Sequence, residues 1–465
     1  MAYPALARDL WTDESYTASY TFHATLGQLL EDVRKNEETP PLYFVLTWLW
    51  SRIAGHSEEA LRAFSLLCAT LAALLFTRLA QRRLAPLEAW LAVSVFAVAP
   101  LLQRYIVEAR GYTLTVLLVV VCLLAYERLW QAPDSPSAQA RYTLSAIALF
   151  YTSYFSVALL AAQWLLWLFQ LRDPATRWRR LRAWGWLHLV FAVALAPWLP
   201  GLAYQVQVAP AVTADWSHGP QDYYYLLFGA LMGERAFGAW FVIWQLAAAA
   251  AFVLMLAAGL HARPEVRALI LRTLAIPAAL LLLMTIIMQV TAVRYLIVVL
   301  PGSALAVAAG FEALRLRRPF LGVLLAAVLV AGMLTTMRSP WLPPHPANPW
   351  ASLSAELARQ ANPQGDVVLF HPPWDQRIFE YYYTGPDLPL LGAHNYDDFY
   401  YTQGYELKRT WRTAEALPLL APHRRVWVFY DQMFHRVPPL ELPYRELDRW
   451  RAGRLELILY EVRAP

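Results

Sequence analysis

The feature that most constrains this chain is a succession of apolar runs, each close to the length of a membrane-spanning helix. A hydrocarbon core of about 30 Å is crossed by about 20 apolar residues in α-helix. Such runs lie near residues 60–80, 87–103, 112–130, 183–203, 237–260, 271–292, 295–312 and 319–337. Composition agrees, with 58% of residues hydrophobic and 16% charged, against about 25% charged in soluble domains. Too few charges remain to cover a water-facing surface of 465 residues. The 20 Trp and 25 Tyr suit a protein with two membrane–water interfaces, where amphipathic rings settle.

The stretch 142–171 is uncharged throughout and fits one long helix or two short ones. Flanking charge decides between them. Arg128 and Arg141 precede it, and Arg172, Arg177, Arg179, Arg180 and Arg182 follow it. If both loops are cytoplasmic the stretch crosses twice, making ten spans. The same parity gathers Arg78, Arg82, Arg83, Arg263, Arg267, Arg272, Arg315, Arg317 and Arg318 on that side, sixteen arginines in all. Only Arg104, Arg110, Arg235 and Arg294 fall in short loops on the other. The positive-inside rule places the sixteen in the cytoplasm. Residues 1–58 and 339–465 then face outward, and this predicts a cytoplasmic (inner) membrane protein with its chemistry on the outer face. A chain that begins outside needs something to carry its N-terminus across. Residues 1–12 hold no such signal, so a further apolar helix is expected upstream.

Three regions follow: an outer first loop (1–58), a helical membrane domain (59–338) and an extracytoplasmic domain (339–465). The Pro-rich stretch 339–350 cannot continue a helix. Beyond it, GDVVLF (365–370), LPLL (388–391), RVWVFY (425–430) and RLELILY (454–460) read as strands among helical segments, hence a small α/β domain. No glycine-rich phosphate loop follows any of them. Cys68 and Cys122 sit in apolar runs and support neither a disulfide nor a thiolate metal site. The ten His show no pair at metal-ligand spacing. The basic WRRLR (178–182) is explained by topology and anionic lipid rather than nucleic acid.

Chemistry is therefore sought in the outer loops. WTDESYT (11–17) carries the adjacent Asp13 and Glu14. After an amphipathic stretch (16–34) comes TPPLYFVLTWLWSRIAG (39–55), too short to span and suited to an interfacial helix started by Pro40 and Pro41. Taken alone, Asp13 fits a helix N-cap, as do Thr12 and Ser15. HPPWDQRIFEYYY (371–383) suits either sugar stacking or packing of the outer domain on the membrane surface.

The order of W-T-D-E, T-P-P-L-Y-F and E-E-A-L-R (58–62) resembles the polyprenyl-phosphate-sugar-dependent membrane glycosyltransferases. These are the family 39 type, including protein O-mannosyltransferases and the lipid A aminoarabinose transferases, with the C-type fold. E-A-R-G-Y (108–112), L-F-Y-T-S-Y-F (149–155) and R-Y-L-I-V-V-L-P (294–301) are similar too, so the resemblance covers residues 10–315. It implies an all-α polytopic membrane protein and a lipid-linked sugar donor. It implies transfer with inversion to an outer acceptor, which is protein, lipid or polysaccharide. On that reading Asp13 is the general base, since carboxylates are ionised at pH 7. Glu14 steers the acceptor or helps bind a divalent cation. Arg110 and Arg294 take the leaving phosphate, Tyr112 and Tyr295 pack beside it, and Glu108 pairs with Arg110 or adds a second acid. The chain departs from the family pattern at Thr39, where Lys or His often precedes Pro-Pro, and at Ser153, where His is frequent. The competing function is a transporter or lipid flippase, which predicts mid-bilayer charges and repeated halves. Neither is evident here.

Overall fold

The computed structural model describes residues 6–172, 174–213, 228, 231, 239–288, 293–337, 349–394, 410–431 and 442–462. Arg235, most of the loop 204–236 and most of the linker 339–350 lie outside these.

Three short helices come first: α1 (Thr12–Thr21), α2 (Leu26–Asn36) and α3 (Leu42–Ala54). The sequence T-x-x-Q opens α2 as a capping box, Thr25 and Gln28 each accepting from the other's backbone N–H. α3 follows Pro40–Pro41, and at 13 residues it is only about 20 Å long. Its first N–H, which has no partner within the helix, is taken by the Tyr151 carbonyl at 2.9 Å.

The bundle comprises α4 (Glu58–Arg83), α5 (Pro86–Ala97), α6 (Pro100–Tyr105), α7 (Tyr112–Gln131), α8 (Pro136–Phe150), α9 (Val157–Trp167), α10 (Arg177–Leu195), α11 (Leu199–Thr213), α12 (Ala239–Leu260), α13 (Pro264–Ile270), α14 (Ile276–Met288), α15 (Leu300–Arg315) and α16 (Pro319–Met337). Among the described residues six continuous helical stretches are long and apolar enough to cross a membrane, and shorter apolar helices accompany them. The chain is a multi-pass membrane protein. The stretch 142–171 is two helices, broken at Thr152–Ser153. The run 87–103, expected as one span, is divided instead: Pro100 has no N–H to continue α5, and α6 restarts from it.

α15 is nearly all buried, and its small residues say why. A Cβ on Gly302 would fall 1.9 Å from the Thr273 carbonyl oxygen, and one on Gly310 2.1 Å from that of Met255. With Ala306 between them, this four-residue repeat of small side chains lets neighbouring backbones close to contact. At one end of the bundle the arginine-rich helix ends are tied by pairs: Arg83 with Glu127, Arg263 with Glu312, and Arg315 with Glu88 at 2.7 Å.

The C-terminal unit has a six-stranded sheet ordered β3-β2-β1-β4-β6-β5, with α17 (Trp350–Gln360), β1 (Asp366–His371), α18 (Gln376–Tyr382), β2 (Leu390–His394), β3 (Thr410–Arg412), α19 (Thr413–Leu420), β4 (Arg425–Asp431), β5 (Arg445–Ala452) and β6 (Leu455–Glu461). β1 to β4 are mutually parallel and β5 and β6 antiparallel. The four strands read from the sequence are β1, β2, β4 and β6, and the three-residue β3 was not among them. β5 escaped because it is a charged edge strand, exposed along most of its length.

α18 lies on the first-loop helices. Arg377 spans the contact, donating to both Asp32 oxygens at 2.9 and 3.2 Å and to the Ser19 hydroxyl at 2.9 Å. Its guanidinium also stands over the Tyr16 ring, 4.6 Å from the centroid. The Tyr381 hydroxyl donates to the His56 carbonyl, and the Tyr382 hydroxyl accepts from the Leu10 N–H. The side chains of HPPWDQRIFEYYY thus pack the C-terminal unit on the first loop, a contact that neither reading of the motif named. Arg377→Ala is expected to lower stability by about 2 kcal/mol, the scale of charge-assisted hydrogen bonds. Arg377→Lys should recover little, because the contact to Asp32 is forked. Thermal unfolding in detergent reads both.

Candidate active site

α1 is the first element of the site. Its N-cap is Trp11, so Asp13 is not the cap that the motif alone allowed. Glu14 takes the capping role instead, accepting the Trp11 N–H at 3.3 Å. Asp13, on the adjoining face, keeps a side chain 32% exposed, and its Oδ2 lies 3.7 Å from Nη1 of Arg294.

Arg294 opens the helical segment 293–315 and comes to the same end as Arg110, the last residue before the turn into α7. The EARGY glycine matters locally. A Cβ at Gly111 would press to 3.3 Å on the Tyr43 ring, so glycine allows α3 and the start of α7 to meet. Between these elements is a cavity of about 40 Å³, lined by Glu38, Thr39, Arg110, Tyr112, Ser153, Phe155, Arg294 and Tyr295 among others. The Tyr295 and Phe155 rings stack at 3.7 Å between centroids, forming one wall. Arg294 leans over the Tyr295 ring at 5.6 Å. The motifs around residues 13, 39, 110, 153 and 294, up to 281 positions apart in the chain, thus converge at one end of the bundle, opposite the arginine-rich one.

A sequence model of the family described as dolichyl-phosphate-mannose-protein mannosyltransferase matches residues 38–204, just over a third of the chain. That segment includes Glu38, Arg110 and Tyr112, and stops short of both Asp13 and Arg294. No curated protein matches in sequence. Among solved structures, ArnT from Cupriavidus metallidurans in the apo state is similar at a TM-score of 0.59 and 15% identity, over 100% of this chain and 96% of that one. The same protein bound to undecaprenyl phosphate is similar at 0.56 and 14%, over 98% and 95%. The fold is that of the C-type membrane glycosyltransferases.

Within this C-type fold the expected residues are not equally placed. Glu14 is fully buried and its oxygens are taken by Arg62 Nε at 2.8 Å, Arg62 Nη2 at 2.6 Å and the Ala109 N–H at 2.8 Å. A carboxylate so engaged cannot also steer an acceptor or coordinate a cation; Glu14 holds α1, α4 and the loop before α7 together. Among the described residues no group of three or more His, Cys, Asp or Glu is placed to hold a metal ion. Arg110 does not pair with Glu108. It forks onto Glu37 at 2.9 Å to each oxygen and donates to the Asp13 carbonyl at 3.1 Å.

Glu108 is buried, with no hydrogen bond to its Oε1. Burial, then the negative charge of Glu14, push its carboxyl up to about 8. An unfolded glutamate titrates near about 4.3, so the folded protein holds a proton that the unfolded chain releases. The stability this proton confers is complete below about pH 4 and is lost as pH climbs through 8. Glu108→Gln, neutral and of the same shape, should therefore melt higher than wild type by a margin that widens from pH 5 to pH 9. Thermal unfolding at pH 5, 7 and 9 checks this.

Three residues of the site were missed in the sequence. Glu37 and Glu38 stood in plain view before Pro-Pro, but nothing in their spacing says that one clamps Arg110 and the other lines the cavity. Arg62 did have a signal, as a lone charge just inside an apolar run.

Proposed function

We propose that the protein is a membrane glycosyltransferase that moves a sugar from a polyprenyl-phosphate donor to an acceptor on the outer face of the cytoplasmic membrane. One observation carries the reading: the part-exposed Asp13 carboxylate faces Arg294 at the rim of the cavity holding Tyr112 and Tyr295. The family match over residues 38–204 and the fold shared with ArnT, one of whose structures holds undecaprenyl phosphate, point the same way. The sixteen arginines at the other end support the sidedness.

Asp13 removes the proton from the acceptor's nucleophile as that atom attacks the anomeric carbon. The bond from anomeric carbon to phosphate oxygen breaks on the opposite side, its electron pair staying with the phosphate, and the configuration inverts. The polyprenyl phosphate gains negative charge beside the Arg294 guanidinium, which is held in place by the Tyr295 ring before the charge develops. Arg110, already matched by Glu37, shapes the site more than it neutralises the phosphate. Tyr112 and Tyr295 present aromatic surface to the sugar and first isoprenoid unit. The acceptor enters from the side of Asp13, toward the C-terminal unit.

The test offers membranes containing the full-length protein a panel of radiolabelled polyprenyl-phosphate sugars. One donor should be consumed and its label passed to an endogenous acceptor. No consumption across the panel would contradict the proposal and favour lipid transport.

A further inference from the structure

The cavity and its rim carry more negative charge than a phosphate site should. Two guanidinium groups are present, Arg110 and Arg294. Arg110 is matched by Glu37 through two 2.9 Å hydrogen bonds, and Arg294 faces Asp13. Glu38 is then a third carboxyl group without a matching cation of its own. It lines the cavity beside Thr39, and no described residue hydrogen-bonds to its side chain. Five groups act on it electrostatically: Arg294 and Tyr295 from the segment 293–299, Asp13 from α1, Arg110 from the turn before α7, and Glu37 beside it in the chain. With every carboxyl ionised, three negative charges oppose two positive ones, and an anionic lipid would enter a site already at net −1.

Building on the donor-site reading above, we propose that Glu38 binds the lipid phosphate as a neutral acid, donating its O–H to a phosphate oxygen, so that donor binding takes up one proton. Protonated, Glu38 leaves the site neutral before the phosphodiester arrives. It also adds a hydrogen-bond donor to the cavity lining, for the oxygens that take up charge as the sugar departs. Burial already pushes its carboxyl up to about 7, so the proton is available near neutrality, and a bound anion raises its affinity for that proton further.

The probe is the methyl diester of a polyprenyl phosphate, whose charge stays at −1 across the range. Its binding to the full-length protein in lipid nanodiscs is followed by tryptophan fluorescence from pH 5.5 to pH 9. Wild type should weaken above about pH 7, approaching tenfold per pH unit, the slope of one proton taken up. Glu38→Gln should bind within about threefold of the wild-type acid limit at every pH. A flat wild-type profile, or an unchanged slope in Glu38→Gln, overturns the proposal. Calorimetry of wild type at pH 8, in two buffers of different ionisation enthalpy, tests it without any variant. About one proton taken up per lipid bound supports the proposal and zero overturns it. Absence of binding at any pH by either protein would fail the donor-site reading as well, which separates the two.

Discussion

Asp13→Asn is expected to abolish sugar transfer while leaving the lipid phosphate bound. A positioned general base contributes about 10² to 10⁴ in rate, equivalent to about 3–5 kcal/mol of barrier, so kcat should fall by that factor with little change in the apparent KM for the donor. The asparagine matches the aspartate in shape, and the α1 N-terminus is held by Glu14 and Trp11, not by Asp13. Folding should therefore be unaffected, and a thermal melt identical to wild type makes the kinetic loss interpretable. Asp13→Glu should retain partial activity, since it keeps the charge but displaces it by one methylene. Turnover by Asp13→Asn equal to wild type would remove the residue from the chemistry.

Arg62→Met carries the largest expected effect on stability. Arg62 is fully buried and makes five hydrogen bonds: two to Glu14 and one each to the carbonyls of Leu6, Arg8 and Asp9. Removing one partner of a buried pair strands the other charge and costs about 3–5 kcal/mol. Three backbone carbonyls ahead of α1 would lose their donor as well, so the segment carrying Asp13 would loosen and activity should fall with stability. The double variant Arg62→Met/Glu14→Gln separates these effects. It no longer buries an unpaired charge and should be more stable than Arg62→Met alone, yet remain poorly active because the carbonyls of Leu6, Arg8 and Asp9 still lack the Arg62 donor. Thermal unfolding and transfer assays on the same preparations read both quantities. If the double variant were less stable than the single one, burial of an unpaired Glu14 would not be the cause.

Much of the membrane architecture was legible because it follows from one physical rule, that backbone polar groups in hydrocarbon must be satisfied within a helix. Apolar run length then marks the helices, and arginine placement orders their ends. The division of 142–171 was decided in this way. The break at Pro100 is also readable, because its missing N–H interrupts a helix that the continuing apolarity of 87–103 would otherwise extend. The convergence of Asp13, Arg110 and Arg294 was foreseen only through the family resemblance, since nothing in residue spacing brings positions 13 and 294 together. What stayed hidden was pairing. Arg110 had Glu108 two residues away, yet Glu37 reaches it from another loop and forks onto it. Glu14 looked like half of a catalytic pair. On the adjoining face of α1, where helix geometry turns it away from Asp13, it meets Arg62 in the core. In the C-terminal unit, strands with apolar cores were found and the charged edge strand β5 was not, because hydrophobic pattern reports burial and an edge has little.

An experimental structure of the full-length protein in lipid nanodiscs with a polyprenyl phosphate bound would decide where the donor phosphate sits. The phosphate should lie within hydrogen-bonding distance of the Arg294 guanidinium, between Tyr112 and Tyr295 and beside Asp13, with Arg110 still held by Glu37. A phosphate bound instead at the arginine-rich end, near Arg83 and Glu127, or a cavity empty at saturating lipid, would contradict this placement.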